Sequence, residues 1–97
     1  EYNHASAAKA AKNLGYKPGD LRIGGFDLVP EVLAEIKSGY IKLTIDQQPY
    51  LQGFLPIVQL YLMKEYGLSA WDVNTGNAVV DASNVDLVLE LSQKRVR

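Results

Sequence analysis

The chain has 97 residues, the size of one small domain, with 47% apolar and 22% charged residues and a formal net charge of −1. That is globular composition, and without a basic stripe to follow a phosphate backbone no nucleic acid partner is expected. There is no cysteine, which excludes disulfides and thiolate metal sites, and the apolar run from Phe54 to Met63 is broken by Pro56 and Gln59 and is too short to span a bilayer.

The first element predicted is a helix over 5–14, "ASAAKAAKNL", rich in the best helix former and stopped by Gly15. "YKPGD" (16–20) has turn composition. "LRIGGF" (21–26) reads as a short strand that delivers Asp27. Pro30 suits a first helical position and Glu31 complements the positive helix start; Val32, Leu33 and Ile36 give that helix an apolar face, and Gly39 ends it. "YIKLTI" (40–45) is the second strand and delivers Asp46, Gln47 and Gln48. Pro49 to Tyr66 forms the third helix, with Leu51, Phe54, Leu55, Val58 and Leu62 at helical spacing, Pro56 inside it and Gly67 after it. "LSAWDVNTG" (68–76) is loop and "NAVVD" (77–81) the third strand. Ser83 or Asn84 can cap a last helix carrying Val85, Val88, Leu89 and Val96. The closing "KRVR" reads as a solvated tail.

Helices that alternate with strands indicate α/β organisation: part of a doubly wound parallel sheet with helices on both faces. Three strands make a thin core with exposed edges, and the chain starts on a helix and on Glu1 instead of Met, so it reads as a piece of something larger.

In open α/β sheets, ligands sit outside the carboxyl ends of the strands. Two strands here end in hydrogen-bonding side chains, Asp27 on one and Asp46, Gln47 and Gln48 on the other. A carboxylate only accepts hydrogen bonds, whereas an amide donates and accepts, and the pair suits a sugar or polyol whose hydroxyls need both partners. The alternative is that Asp27 and the glutamines cap the helices that follow. Other chemistries lack their residues. "GG" at 24–25 is no dinucleotide fingerprint, and these glycines are instead expected to let the following helix or a ligand come close to the backbone. His4, the single histidine, is read as a solvated residue at a helix start and makes neither a metal site nor a catalytic triad. No catalytic residue and no cofactor is assigned.

"GGFDLVPEVLAEIKSGYIKLTIDQQPYLQGFLPIVQLYL", followed by "VNTGNAVVDASNVD", resembles the C-terminal part of type I periplasmic sugar-binding proteins, the solute receptors of ABC importers in the ribose-binding-protein superfamily. The resemblance covers nearly the whole chain. Its motifs GFD-x-x-P and I-D-Q-Q-P-Y-x-Q-G are specific as a pair. It implies two lobes that close on one monosaccharide or polyol, outside the cytoplasmic membrane, and present it to an ABC permease. Asp27 and Gln47 are the positions it marks as sugar-binding, with Asp46 and Gln48 supporting the turn. It further implies that residues 1–73 are the later half of the C-terminal lobe. Residues 74–97 would then be the final crossing segment and a terminal helix packed on an N-terminal lobe supplied by the missing part of the protein. A LacI-type effector-binding core shares these lobes and is the rival reading, though "DQQPYLQG" resembles the transport receptors more. An enzyme or signalling domain of flavodoxin-like fold would need acidic residues that the chain lacks.

Overall fold

Seven elements follow one another in the computed structural model, which describes residues 3–96: α1 (Asn3–Asn13), β1 (Gly24–Phe26), α2 (Pro30–Ser38), β2 (Leu43–Asp46), α3 (Pro49–Tyr66), β3 (Ala78–Asp81) and α4 (Val85–Gln93). The order is the one predicted, with shorter strands. Pro30 stands in the first turn of α2, and Gly39 ends that helix in the left-handed conformation (φ 91°) that glycine adopts without a Cβ clash. Val96, expected on the last helix, lies beyond it and is exposed.

The sheet runs β1-β2-β3. β1 and β2 are parallel, in the register Gly25↔Thr44 and Phe26↔Ile45, so both deliver their carboxyl ends to the same edge. β3 departs from the expected parallel sheet: it is antiparallel to β2, with Thr44 opposite Val80 and Asp46 opposite Ala78. The cause lies in the connection. After β2 the chain leaves along α3, then comes back beside it through residues 67–77, and so re-enters the sheet at the end it left.

Three hydrogen bonds fasten that return, from the Trp71 amide to Gln59 Oε1 (3.2 Å), from Gln52 Nε2 to Thr75 Oγ1 (3.1 Å) and from Gln48 Nε2 to the Thr75 carbonyl (2.9 Å). Four of the five residues of the face predicted for α3 (Leu51, Leu55, Val58, Leu62) are only half-buried by it, Phe54 is exposed, and no residue of α3 is fully buried.

The core lies on one side of the sheet. Ala8 of α1, Val32, Leu33 and Ile36 of α2, Ile41, Val80 of β3, and Val85 and Val88 of α4 form one buried cluster. Because strand side chains alternate, the row Gly25–Thr44–Val80 faces these helices and the row Phe26–Ile45–Val79 faces away. Phe26 and Val79 are 59% and 51% exposed, so among the described residues helices cover one face and not both. α4 packs on α2 and β3. Val85 and Val88, three positions apart, fall on one side of α4 and meet this core.

Candidate functional site

Parallel pairing of β1 and β2 brings the residues just past their ends together. Asp27 N–H donates to the carbonyl of Ile45 (3.0 Å), which extends the ladder by one residue. Beyond that bond the backbone of Asp27 turns into the left-handed region, φ 83°. Its carboxylate Oδ1 accepts from Nε2 of Gln47 at 2.7 Å. Asp27 is half-buried and Gln47 exposed, so the pair stands at the lip of the sheet, accessible from solvent. The two residues singled out in the sequence therefore meet.

The helix-cap alternative fails on geometry. The residue capping α2 is Val29, that capping α3 is Gln48, and neither helix start has a side-chain cap. Asp27 and Gln47 are left to face each other and the opening.

Asp46 and Gln48 shape the floor of this turn. Asp46 is buried and its Oδ1 accepts the Gln48 amide at 2.8 Å, a carboxylate bonded two residues along its own backbone. Gln48 has φ 55°, a second left-handed residue beside the first, and its Nε2 donates to the carbonyl of Thr75 at 2.9 Å. Gln52 Nε2 donates to the Gln47 carbonyl (3.1 Å) as well as to Thr75 Oγ1. Thus Asp46, Gln48 and Gln52 tie the end of β2, the start of α3 and the returning segment into one rim. Strained backbone of this kind persists only where its surroundings over-determine it, and it concentrates at binding sites.

Sequence reading missed two residues under this rim. His4, expected in solvent, is 5% exposed. Its ring lies against Gly25, where an added Cβ would come within 2.8 Å of the imidazole Cγ. The close approach at Gly25 is thus made by the preceding helix α1, and not, as expected from the sequence, by the following helix or a ligand. His4 Nε2 lies 3.3 Å from Thr44 Oγ1, and Thr44 donates to the carbonyl of Asp27 at 2.9 Å. Burial holds the imidazole below the ordinary histidine range, with the Asp27 charge opposing that shift. A signal was present in the alternation of Thr44 and Asp46, two polar residues two positions apart on a buried strand face.

Chemically the rim offers one carboxylate and one amide. One carboxylate oxygen is engaged by Gln47 and the group can accept more than one hydrogen bond; the Gln47 amide has a carbonyl oxygen to accept with and a second N–H to donate. Neighbouring hydroxyls on a ring, each able to donate and accept, match that set.

No family model matches the chain. A curated relative, the xylose/arabinose-binding protein XylF of Sulfolobus acidocaldarius, is 40% identical over 77 residues, covering 77% of this chain and 19% of its own length. Among solved structures, a carbohydrate transporter from Acidothermus cellulolyticus 11B in complex with myo-inositol superposes with a TM-score of 0.78 at 33% identity, over 97% of this chain and 33% of that one. The chain thus spans about a fifth of the first relative and a third of the second.

Proposed function

We propose that the chain, similar over most of its length to sugar-binding proteins of type I, forms one wall of a cleft for a monosaccharide or polyol, within a receptor that supplies an ABC importer outside the cytoplasmic membrane. The observation that carries the reading is the contact between Asp27 and Gln47 at the open ends of two parallel strands. Asp27 accepts from sugar hydroxyls, and Gln47, oriented by its bond to Asp27, donates to or accepts from the next one. The role proposed is binding: the carboxylate and the amide at the rim are groups that grip hydroxyls.

Two further observations support a longer protein. The Phe26–Ile45–Val79 sheet face is uncovered, and α3 carries exposed Tyr50, Phe54, Ile57, Leu60 and Tyr61. Apolar surface of this extent is normally covered. In the reading proposed, the rest of the receptor covers both and supplies the opposite wall. Closure then pivots where the chain passes the rim at Asn74–Gly76, a turn closed by the Gly76 amide on Asn74 Oδ1 (2.9 Å).

Isothermal titration of D-xylose, L-arabinose and myo-inositol tests this. A receptor containing this chain should bind at least one of them, and the 97-residue chain alone none measurably. Micromolar binding by the isolated chain would contradict the two-walled cleft, and a receptor that binds none of the three would contradict the choice of ligand class.

A further inference from the structure

We propose that His4 is a positioning residue for the Asp27–Gln47 pair, acting through the hydroxyl of Thr44 on the backbone of Asp27. The inference deepens the binding-site reading above and rests on it for its functional meaning; its structural content stands alone.

The direction of each hydrogen bond follows from proton count. A backbone carbonyl accepts only, so at 2.9 Å the single hydroxyl proton of Thr44 is given to Asp27. Thr44 Oγ1 has then only lone pairs to offer His4 Nε2 at 3.3 Å, and Nε2 must carry a hydrogen. Neutral His4 is therefore the Nε2–H tautomer, and the chain runs from α1 through β2 to the residue after β1: His4 N–H to Thr44, Thr44 O–H to Asp27 C=O.

This chain ends on a residue whose backbone needs holding. Asp27 occupies the left-handed region at φ 83°, where a residue with a Cβ is disfavoured. Its N–H is fixed by Ile45 and its C=O by Thr44, so both sides of the residue are pinned and the carboxylate is aimed at Gln47. Thr44 is fully buried and His4 nearly so, which leaves no solvent to replace the donor if His4 is removed. Gly25 completes the device. Any side chain there would occupy the space of the ring, so the glycine is the seat that lets His4 reach across β1 to Thr44.

Two variants separate the hydrogen bond from the packing. His4→Gln keeps an N–H at similar reach, whereas His4→Phe keeps a ring against Gly25 and loses the donor. The test uses the 97-residue chain labelled with nitrogen-15. Long-range nitrogen–proton correlations should show His4 protonated at Nε2, and the Nδ1–H tautomer would overturn the proposal by itself, whatever the variants do. Amide hydrogen exchange at Asp27, referenced to core amides such as that of Ile36, should accelerate about fivefold or more in His4→Phe and stay within about twofold in His4→Gln, the scale of one buried neutral hydrogen bond. Equal exchange in the two variants would make His4 a packing residue and overturn the proposal. In the receptor, the sugar that binds the native protein should bind His4→Phe about fivefold more weakly, with most of the loss restored in His4→Gln. Affinity unchanged in His4→Phe would likewise overturn it. If the native receptor binds none of D-xylose, L-arabinose and myo-inositol, the ligand reading fails while the tautomer and the exchange rates still decide the role of His4.

Discussion

At Asp27 two demands fall on one residue: a left-handed backbone that glycine accepts freely, and a carboxylate that glycine lacks. Asp27→Gly should therefore separate stability from binding. Urea unfolding is expected to show stability unchanged or raised by up to about 1 kcal/mol. Sugar affinity of the receptor should fall by about 10- to 100-fold, the scale of a hydrogen bond to a charged group. A stability loss with intact affinity would make Asp27 a structural residue. His4 gives a pH signature. Burial lowers its folded-state pKa beneath the unfolded value, so the unfolded chain takes up the proton first. Stability should thus be highest above about pH 6.5 and decline as the pH falls through that value, and His4→Gln should remove that part of the slope. A slope identical in native and variant chains would show that His4 does not titrate on unfolding. At this scale the strand ends marked Asp27, Asp46, Gln47 and Gln48 as candidates, and only the resemblance to the sugar receptors narrowed them to Asp27 and Gln47. His4 was not among them, because a histidine at a helix start is ordinarily solvated, and only the missing Cβ of Gly25 lets this one go inside.

Helices α2 and α3 look alike on paper, each apolar at helical spacing, begun with proline and ended by glycine, yet the structure uses them differently. Leu33 of α2 is fully buried, while Ile57 of α3 is 67% exposed. Leu33→Ala in this chain should cost about 2–5 kcal/mol, and Ile57→Gln should stay within about 0.5 kcal/mol, both read from urea midpoints. Similar losses would show that α3 packs in this chain as α2 does. Periodicity finds a helix and its apolar side without naming the partner that covers it, which is why α3 was legible as an element and its exposure was not. The same limit applies to β3. A strand of four residues carries no mark of its polarity, and its antiparallel direction follows from Gln52, Gln48 and Gln59 holding the return segment along α3. Likewise Val85 and Val88 foretold the apolar face of α4 but not that α2 would receive it.

As a whole the chain is elongated, 59 × 21 × 20 Å, with a radius of gyration of 16.9 Å where a compact domain of this length has about 12.5 Å. The excess comes from α3 and the segment 67–77 that returns beside it, which project from a body made of three strands and three helices. A body with one bare sheet face and a projecting apolar arm fits a share of a larger molecule, in keeping with the third of the carbohydrate transporter that it matches. What such a molecule needs from this part is a rim of fixed polar groups, and side-chain bonds of Asp46, Gln48 and Gln52 tie the rim around Asp27 and Gln47. The most direct test is a crystal structure of the receptor with its sugar bound. A ligand hydroxyl should lie at about 2.6–3.0 Å from Asp27 Oδ and another at about 2.8–3.1 Å from the Gln47 amide, with the rim bonds of Gln48 and Gln52 unchanged. Sugar bound with both side chains turned away from it would contradict the account.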